Sequence, residues 1–296
     1  YDNIQYIGLL TKFYQKTKKE YFKKKLVQTI NFINNEFKNE ENLYGSAYDA
    51  DSEGIEGKYY VWSYEELKKI LENDFALFEK KYEISKSGNF EGKNILVESK
   101  NELKEEEQNK IAKIEDKLIQ ERKNRVKPFF DDKSQTDLNA FILDTLISSS
   151  IVLGDNNLKD ETIKTLEILN NKLSNKIYHC YDSSEIDAFL EDYVYYAMLL
   201  VTLYEVDGDE NSLQKAITIM KEIWEIFYNK DIQLLQKNKI KDNDLFVNPI
   251  DLNDSNIPNG NSVYLNLCNK VYIITNDKFW FDKVEILKKS FHQVLN

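Results

Sequence analysis

The chain has 296 residues, 42% of them hydrophobic and 13% aromatic, which is enough apolar matter for a large core and excludes a disordered tail. Lys and Arg total 40 against 51 Asp and Glu, a net charge of −11, and the basic residues are scattered along helix-like stretches, which excludes nucleic acid as a partner. Cys180 and Cys268 form no CxxC pair, so neither a disulfide framework nor a thiolate zinc site is expected, and the compartment reads as reducing and cytoplasmic.

From the N-terminus, apolar residues recur at helical spacing in Ile4, Ile7, Leu10 and Tyr14, then in Leu26, Ile30, Ile33 and Phe37, with Lys18-Lys19-Glu20 between the runs. This predicts a helix hairpin. Further along, Ser63-Tyr64-Glu65-Glu66 reads as a capping box opening a helix, and 101–125 as a charged amphipathic helix with Leu103, Ile111, Ile114 and Leu118 on one face. These form a less regular hairpin. The regular pattern returns at 138–153 with 158–173, at 188–206 with 212–227, and at 261–275 with 278–291. About five hairpins are therefore expected. Their starts are too unevenly spaced for a tandem solenoid, which favours a closed ring. The longest apolar run, 194–204, contains Thr202 and falls short of the roughly 20 residues of a membrane helix, so no membrane span is expected. Tyr1 stands where a complete chain would carry Met, and the sequence reads as cut from a longer protein.

Within each pair one helix is apolar nearly all round and the other one-sided. Asp144 is the charged residue of 138–153, whereas 158–173 carries Lys159, Asp160, Glu161, Lys164, Glu167 and Lys172. A helix apolar all round must be buried, so first helices are inner and second helices outer. Trp224 and Trp280, on outer helices, are expected in the core. The Lys runs, such as Lys23-Lys24-Lys25, are solvated faces.

Connections within hairpins are short and those between them long: 39–62, 84–100, 126–135, 177–187 and 229–260. Up-and-down helices put all the long loops at one end, and loops of such length in a compact domain are usually functional or disordered. The inner helices start at that end, with free N–H groups and the positive dipole end facing its mouth. Their first turns carry Tyr1-Asp2-Asn3, Thr136-Asp137-Leu138-Asn139, Glu191-Asp192-Tyr193 and Asn259-Gly260-Asn261-Ser262. Asp137 and Asn261 also suit helix caps. Glu191-Asp192 lies inside its helix, where no cap is needed; an acid pair there requires a polar cavity or a cation. Asp49 with Asp51, or Asp132 with Asp137, could supply general acid and base for glycosidic chemistry. Asp49-x-Asp51-x-Glu53-Gly54 has Tyr60 where a calcium loop needs its bidentate Glu, and His179 and His292 leave little room for a histidine metal site. His179 is expected in a surface loop, and neither metal nor cofactor is expected. Tyr48, Tyr59, Tyr60, Trp62 and Tyr193 suit either stacking on a sugar ring or packing.

These loop motifs resemble those of the spermatogenesis-associated protein 20-like, or thioredoxin-domain-containing, proteins. The resemblance spans nearly the whole chain: Tyr1-Asp2-Asn3, then 46–52 with Glu56-Gly57-Lys58-Tyr59-Tyr60-Val61-Trp62, then the most specific stretch, Gly88-Asn89-Phe90-Glu91-Gly92-Lys93-Asn94-Ile95-Leu96. Asp131-Asp132-Lys133 with Thr136-Asp137-x-Asn139, Leu190-Glu191-Asp192-Tyr193 and Gly260-Asn261-Ser262 follow in order, with Leu138 where the family usually has Trp. The resemblance implies an all-α (α/α)6 toroid of the six-hairpin glycosidase type over residues 1–296, incomplete here, with the sixth hairpin and a thioredoxin-like domain in cis upstream of Tyr1. Its expected site has Asp192 with Asp137 or Asp132 as acid and base. Glu191 and Asn139 orient, Lys133 or Arg125 balances charge, and Asp49, Asp51, Tyr59, Trp62, Asn89, Glu91, Lys93, Tyr193, Asn261 and Ser262 contact a small-molecule ligand, a sugar on this reading. The other expectation is a non-catalytic ring that binds a ligand or protein and serves the attached redox domain.

Overall fold

The computed structural model describes residues 1–174, 176–180, 186–239 and 247–295. The parts of the long connections at 181–185 and 240–246 lie outside the described residues. The chain forms two compact units, one of Tyr1–Ser46 with Asp132–Asn296 and one of Ala47–Asp131.

The larger unit opens with α1 (Asp2–Thr17) and α2 (Glu20–Glu36). The smaller unit then contributes α3 (Tyr64–Leu71), α4 (Phe75–Lys81) and α5 (Glu105–Lys123). The larger unit resumes with α6 (Thr136–Leu153), α7 (Asn156–Lys172), α8 (Leu190–Asp207), α9 (Glu210–Phe227), α10 (Gly260–Thr275) and α11 (Lys278–Leu295). Each hairpin turns on a residue in the left-handed region that ends its first helix: Lys18, Gly154, Gly208 and Asn276.

In the larger unit the first helices pack in a row, α1 on α6, α6 on α8 and α8 on α10, and each second helix packs on its own partner. This is the expected inner and outer arrangement of an all-α toroid of helical hairpins. Burial follows the sequence contrast. On α8 the residues from Tyr193 to Ala197 are all buried, whereas α7 buries one stripe, Leu158, Thr162, Thr165, Leu166 and Leu169. By length and composition α6 is apolar enough to cross a membrane, but 61% of it is buried inside this unit, as an inner helix requires. Trp280 is fully buried, and Trp224 packs against the core while stacking on Tyr228.

Four hairpins make up this unit; the irregular fifth behaves differently. Residues 47–131 close on their own apolar cluster of Trp62, Leu67, Leu71, Phe75, Phe78, Ile111, Ile114 and Leu118. Ile111, Ile114 and Leu118 are three of the four residues of the predicted stripe, while Leu103 precedes α5 and packs partly buried against the cluster; the capping box of Ser63 and Glu66 is present. Ala47–Tyr48 and Phe130–Asp131 pair as antiparallel strands at the two ends of the unit.

Candidate functional site

At the start of α6 and α8 a histidine joins the predicted acids. Asp192 is fully buried, and both of its carboxylate oxygens are engaged. Oδ1 accepts from the Asp137 backbone N–H at 3.0 Å, and Oδ2 accepts from the Phe189 N–H at 2.8 Å. His179 Nδ1 lies 3.0 Å and 3.1 Å from the two oxygens. An ionised carboxylate only accepts hydrogen bonds, so Nδ1 carries the proton and Nε2 is the acceptor when the ring is neutral. Asp192 thus reaches back to its own helix N-terminus, an engagement that its position inside the helix had argued against.

His179 sits on the strand Tyr178–Cys180, which pairs with Ile186–Asp187. Thr136 Oγ1 donates to the Tyr178 carbonyl at 2.6 Å, and Cys180 bridges to Gln135, which pins the strand to the start of α6. The pairing slips by one residue between Tyr178 and Cys180, which leaves His179 as the extra residue of a bulge. The expectation of a surface-loop histidine is therefore corrected: the ring is half-buried, edge-on to Phe189.

Asp137, His179 and Glu191 line one cavity of about 210 Å³, together with Lys237, Asp251 and residues of the segment before α10. Burial pushes the Asp137 carboxyl up to about 7, with Asp192 adding repulsion and His179 opposing it. For His179 burial works against the charged ring, but the hydrogen bond and charge of Asp192, with Asp137 and Glu191, outweigh it and raise its pKa above 6.5. Burial likewise raises Glu191. One wall thus holds a carboxyl raised by burial beside an imidazole raised by its acidic neighbours, the kind of perturbed pair found at functional sites. Donor atoms of Asp137, His179 and Asp192 lie within 4.8 Å of one another, close enough to share a cation. Yet hydrogen bonds already engage His179 Nδ1 and both Asp192 oxygens.

Other expected ligand-binding residues hold the chain together. Asn139 Oδ1 accepts from the Tyr44 N–H at 2.8 Å, while Nδ2 donates to the Tyr44 and Gln135 carbonyls, both at 2.9 Å. Asn261 repeats the device on α10, accepting from the Leu235 N–H at 2.8 Å and donating to the Leu235 carbonyl at 2.8 Å and the Asp251 carbonyl at 3.2 Å. Each amide replaces a missing neighbouring strand for one loop residue. Ser262 completes the Asn259 cap of α10. Tyr193 is buried and directs its hydroxyl toward Glu222 of α9 and its ring against Phe227. Asp132 and Lys133 are exposed, and neither lines the cavity; the Asp132 carbonyl accepts from Asn39.

Within the smaller unit, Trp62 is core, and Arg125 stacks 3.8 Å from its ring. Arg125 also donates to the carbonyls of Lys58, Tyr59 and Val61 and pairs with Glu66 at 2.7 Å. It is a structural clamp and not the charge-balancing group expected from sequence. Asp49 and Asp51 are exposed and joined by an Asp51 N–H to Asp49 Oδ1 bond of 3.1 Å. Asn89 exchanges two hydrogen bonds with Ile95 across a tight loop. At Gly88 a Cβ would lie 2.2 Å from the Lys93 carbonyl oxygen and φ is +72°, so glycine is required there. Tyr59, Glu91 and Lys93 line a separate cavity of this unit, about 520 Å³ in volume.

The chain matches no family model. Over its whole length it is 21% identical to an uncharacterized protein of Caenorhabditis elegans, and it spans about half that relative, 47% of its length. Among solved structures it resembles a D-mannose isomerase, with TM-score 0.49, 14% identity, and coverage of 97% of this chain and 73% of that one. It also resembles a family 76 glycoside hydrolase (mannosidase) of Bacteroides thetaiotaomicron, with TM-score 0.45, 11% identity and coverage of 99% and 71%. A sugar epimerase from a ruminal bacterium gives TM-score 0.41, 14% identity and coverage of 88% and 66%. Similarity at this level carries neither substrate nor residue roles to this chain.

Proposed function

We propose that the cavity at the start of α6 and α8 binds a sugar and acts on it by proton transfer, as a glycosidase- or epimerase-like enzyme. The observation that carries the reading is that Asp137 and His179 share Asp192 and face the same cavity. A carboxyl raised to about 7 is a proton donor at neutral pH, and an imidazole oriented through Nδ1 is a donor or acceptor through Nε2. Asp137 and His179 are the groups positioned to exchange protons with a hydroxyl or a glycosidic oxygen. Asp192 acts as a positioning residue, because its oxygens are engaged by N–H groups and it is fully buried. Membership of the family suggested by the loop motifs, a thioredoxin-like domain in cis and a cytoplasmic location belong to the same proposal.

The test is a screen of hydrolysis, epimerisation and isomerisation on glycans and free sugars, followed by NMR. Asp137→Asn is expected to lower the turnover of any substrate found by about 10²-fold, with folding unchanged by circular dichroism. Turnover unaffected in Asp137→Asn would overturn the assignment. A sugar that binds and is recovered unaltered would favour the non-catalytic binding ring.

A further inference from the structure

We propose that the cavity is built for an uncharged polyhydroxyl ligand and discriminates against anionic sugars such as phosphate esters and uronates, with Glu191 Oε2 accepting a ligand hydroxyl. The inference rests on the reading of this cavity as a sugar site and adds the chemical class of its ligand.

Charge is the first argument. The described residues lining the cavity carry acidic side chains at Asp137, Glu191 and Asp251 and basic side chains at His179 and Lys237. Each basic group already has an acidic partner: His179 is held by Asp192 at 3.0 Å, and Lys237 Nζ lies 3.5 Å from Asp251. A phosphate or carboxylate entering the cavity must break one of these pairs, which sets the freed Asp192 or Asp251 carboxylate beside it, or bind against the acidic groups Asp137 and Glu191 without a free counter-charge. Neither arrangement favours an anion over an uncharged hydroxyl. A hydroxyl meets no such opposition, and Asn253 and Ser255 add uncharged hydrogen-bonding groups to the wall.

The second argument is an orphaned acceptor. Among the described residues, Glu191 Oε2 is the buried side-chain oxygen or nitrogen without a hydrogen-bond partner. Burying an acceptor without a donor is unfavourable, and because Glu191 lines the cavity a rotation of its side chain can bring this oxygen to a ligand O–H that restores the missing bond. The start of α10 packs closely against this carboxylate. A Cβ on Gly260 would lie 2.7 Å from the Leu190 side chain and 3.1 Å from Glu191 Oε1. The bare glycine that opens α10 permits this close approach to the start of α8.

The experiment is calorimetric titration of the full chain with glucose, mannose and galactose, each beside its 6-phosphate and its uronate, repeated on Glu191→Gln with thermal melting as the folding control. At least one parent hexose is expected to bind, and its anionic derivatives to bind at least about tenfold more weakly. Glu191→Gln is expected to weaken the hexose about tenfold and to narrow its advantage over the phosphate. A phosphate or uronate binding as tightly as the parent sugar, or hexose affinity unmoved in Glu191→Gln, would overturn the inference while leaving the sugar site standing. Absence of binding across the whole panel would sink the sugar reading itself, and this inference with it.

Discussion

Asp192→Ala is expected to lower the stability of the chain by roughly 3–5 kcal/mol, the range for breaking a buried, hydrogen-bonded charge pair by removing one partner. The substitution orphans three donors together: the Asp137 N–H, the Phe189 N–H and His179 Nδ1. The two N–H groups belong to the starts of α6 and α8, where no further turn of helix satisfies them. Asp192→Asn keeps one acceptor and the shape and is expected to lose less. Urea unfolding followed by tryptophan fluorescence measures both. If Asp192→Ala unfolded within about 1 kcal/mol of the parent, the carboxylate would not organise these helix starts.

Asn139→Ala and Asn261→Ala are expected to cost about 2–4 kcal/mol each, since each leaves a buried backbone N–H and C=O unpaired at roughly 1–3 kcal/mol per group. Asn139 and Asn261 are almost completely buried, and their amides fit the N–H and C=O of Tyr44 and Leu235 respectively. Replacement by aspartate keeps the shape but removes both N–H donors and sets a charge against the Tyr44 or Leu235 carbonyl, so it is expected to be no better than alanine. The same unfolding measurement serves. Asn→Asp variants as stable as the parent would contradict the paired-strand role and reopen a ligand-facing one.

The fold was legible because burial imposes composition. A helix enclosed on all sides, such as α8, cannot carry the lysines and glutamates that α7 shows to solvent, so inner and outer helices separate before any coordinates are known. Asp137, Glu191 and Asp192 stand out for the same reason, as acids at the head of helices otherwise apolar. His179 does not, since a strand of three residues has no period to read and its contact with Asp192 is set by the docking of that strand on Gln135 and Thr136. Asn139, Asn261 and Arg125 were read as parts of a ligand site, Arg125 as a charge-balancing group, because an amide or guanidinium among loops has the same sequence signature whether it serves a ligand or a backbone. The separate core of residues 47–131 was hidden by the brevity of its helices: α3 has 8 residues and α4 has 7, too few to display a stripe.

The most direct test of the central arrangement is an NMR pH titration of the His179 ring, assigned against His179→Gln, in the parent chain and in Asp192→Asn. The account predicts a midpoint above 6.5 in the parent, with Nδ1 protonated throughout, and a lower midpoint in Asp192→Asn, where burial is opposed only by Asp137 and Glu191. A midpoint at or below 6.5 in the parent that stays put in Asp192→Asn would contradict it.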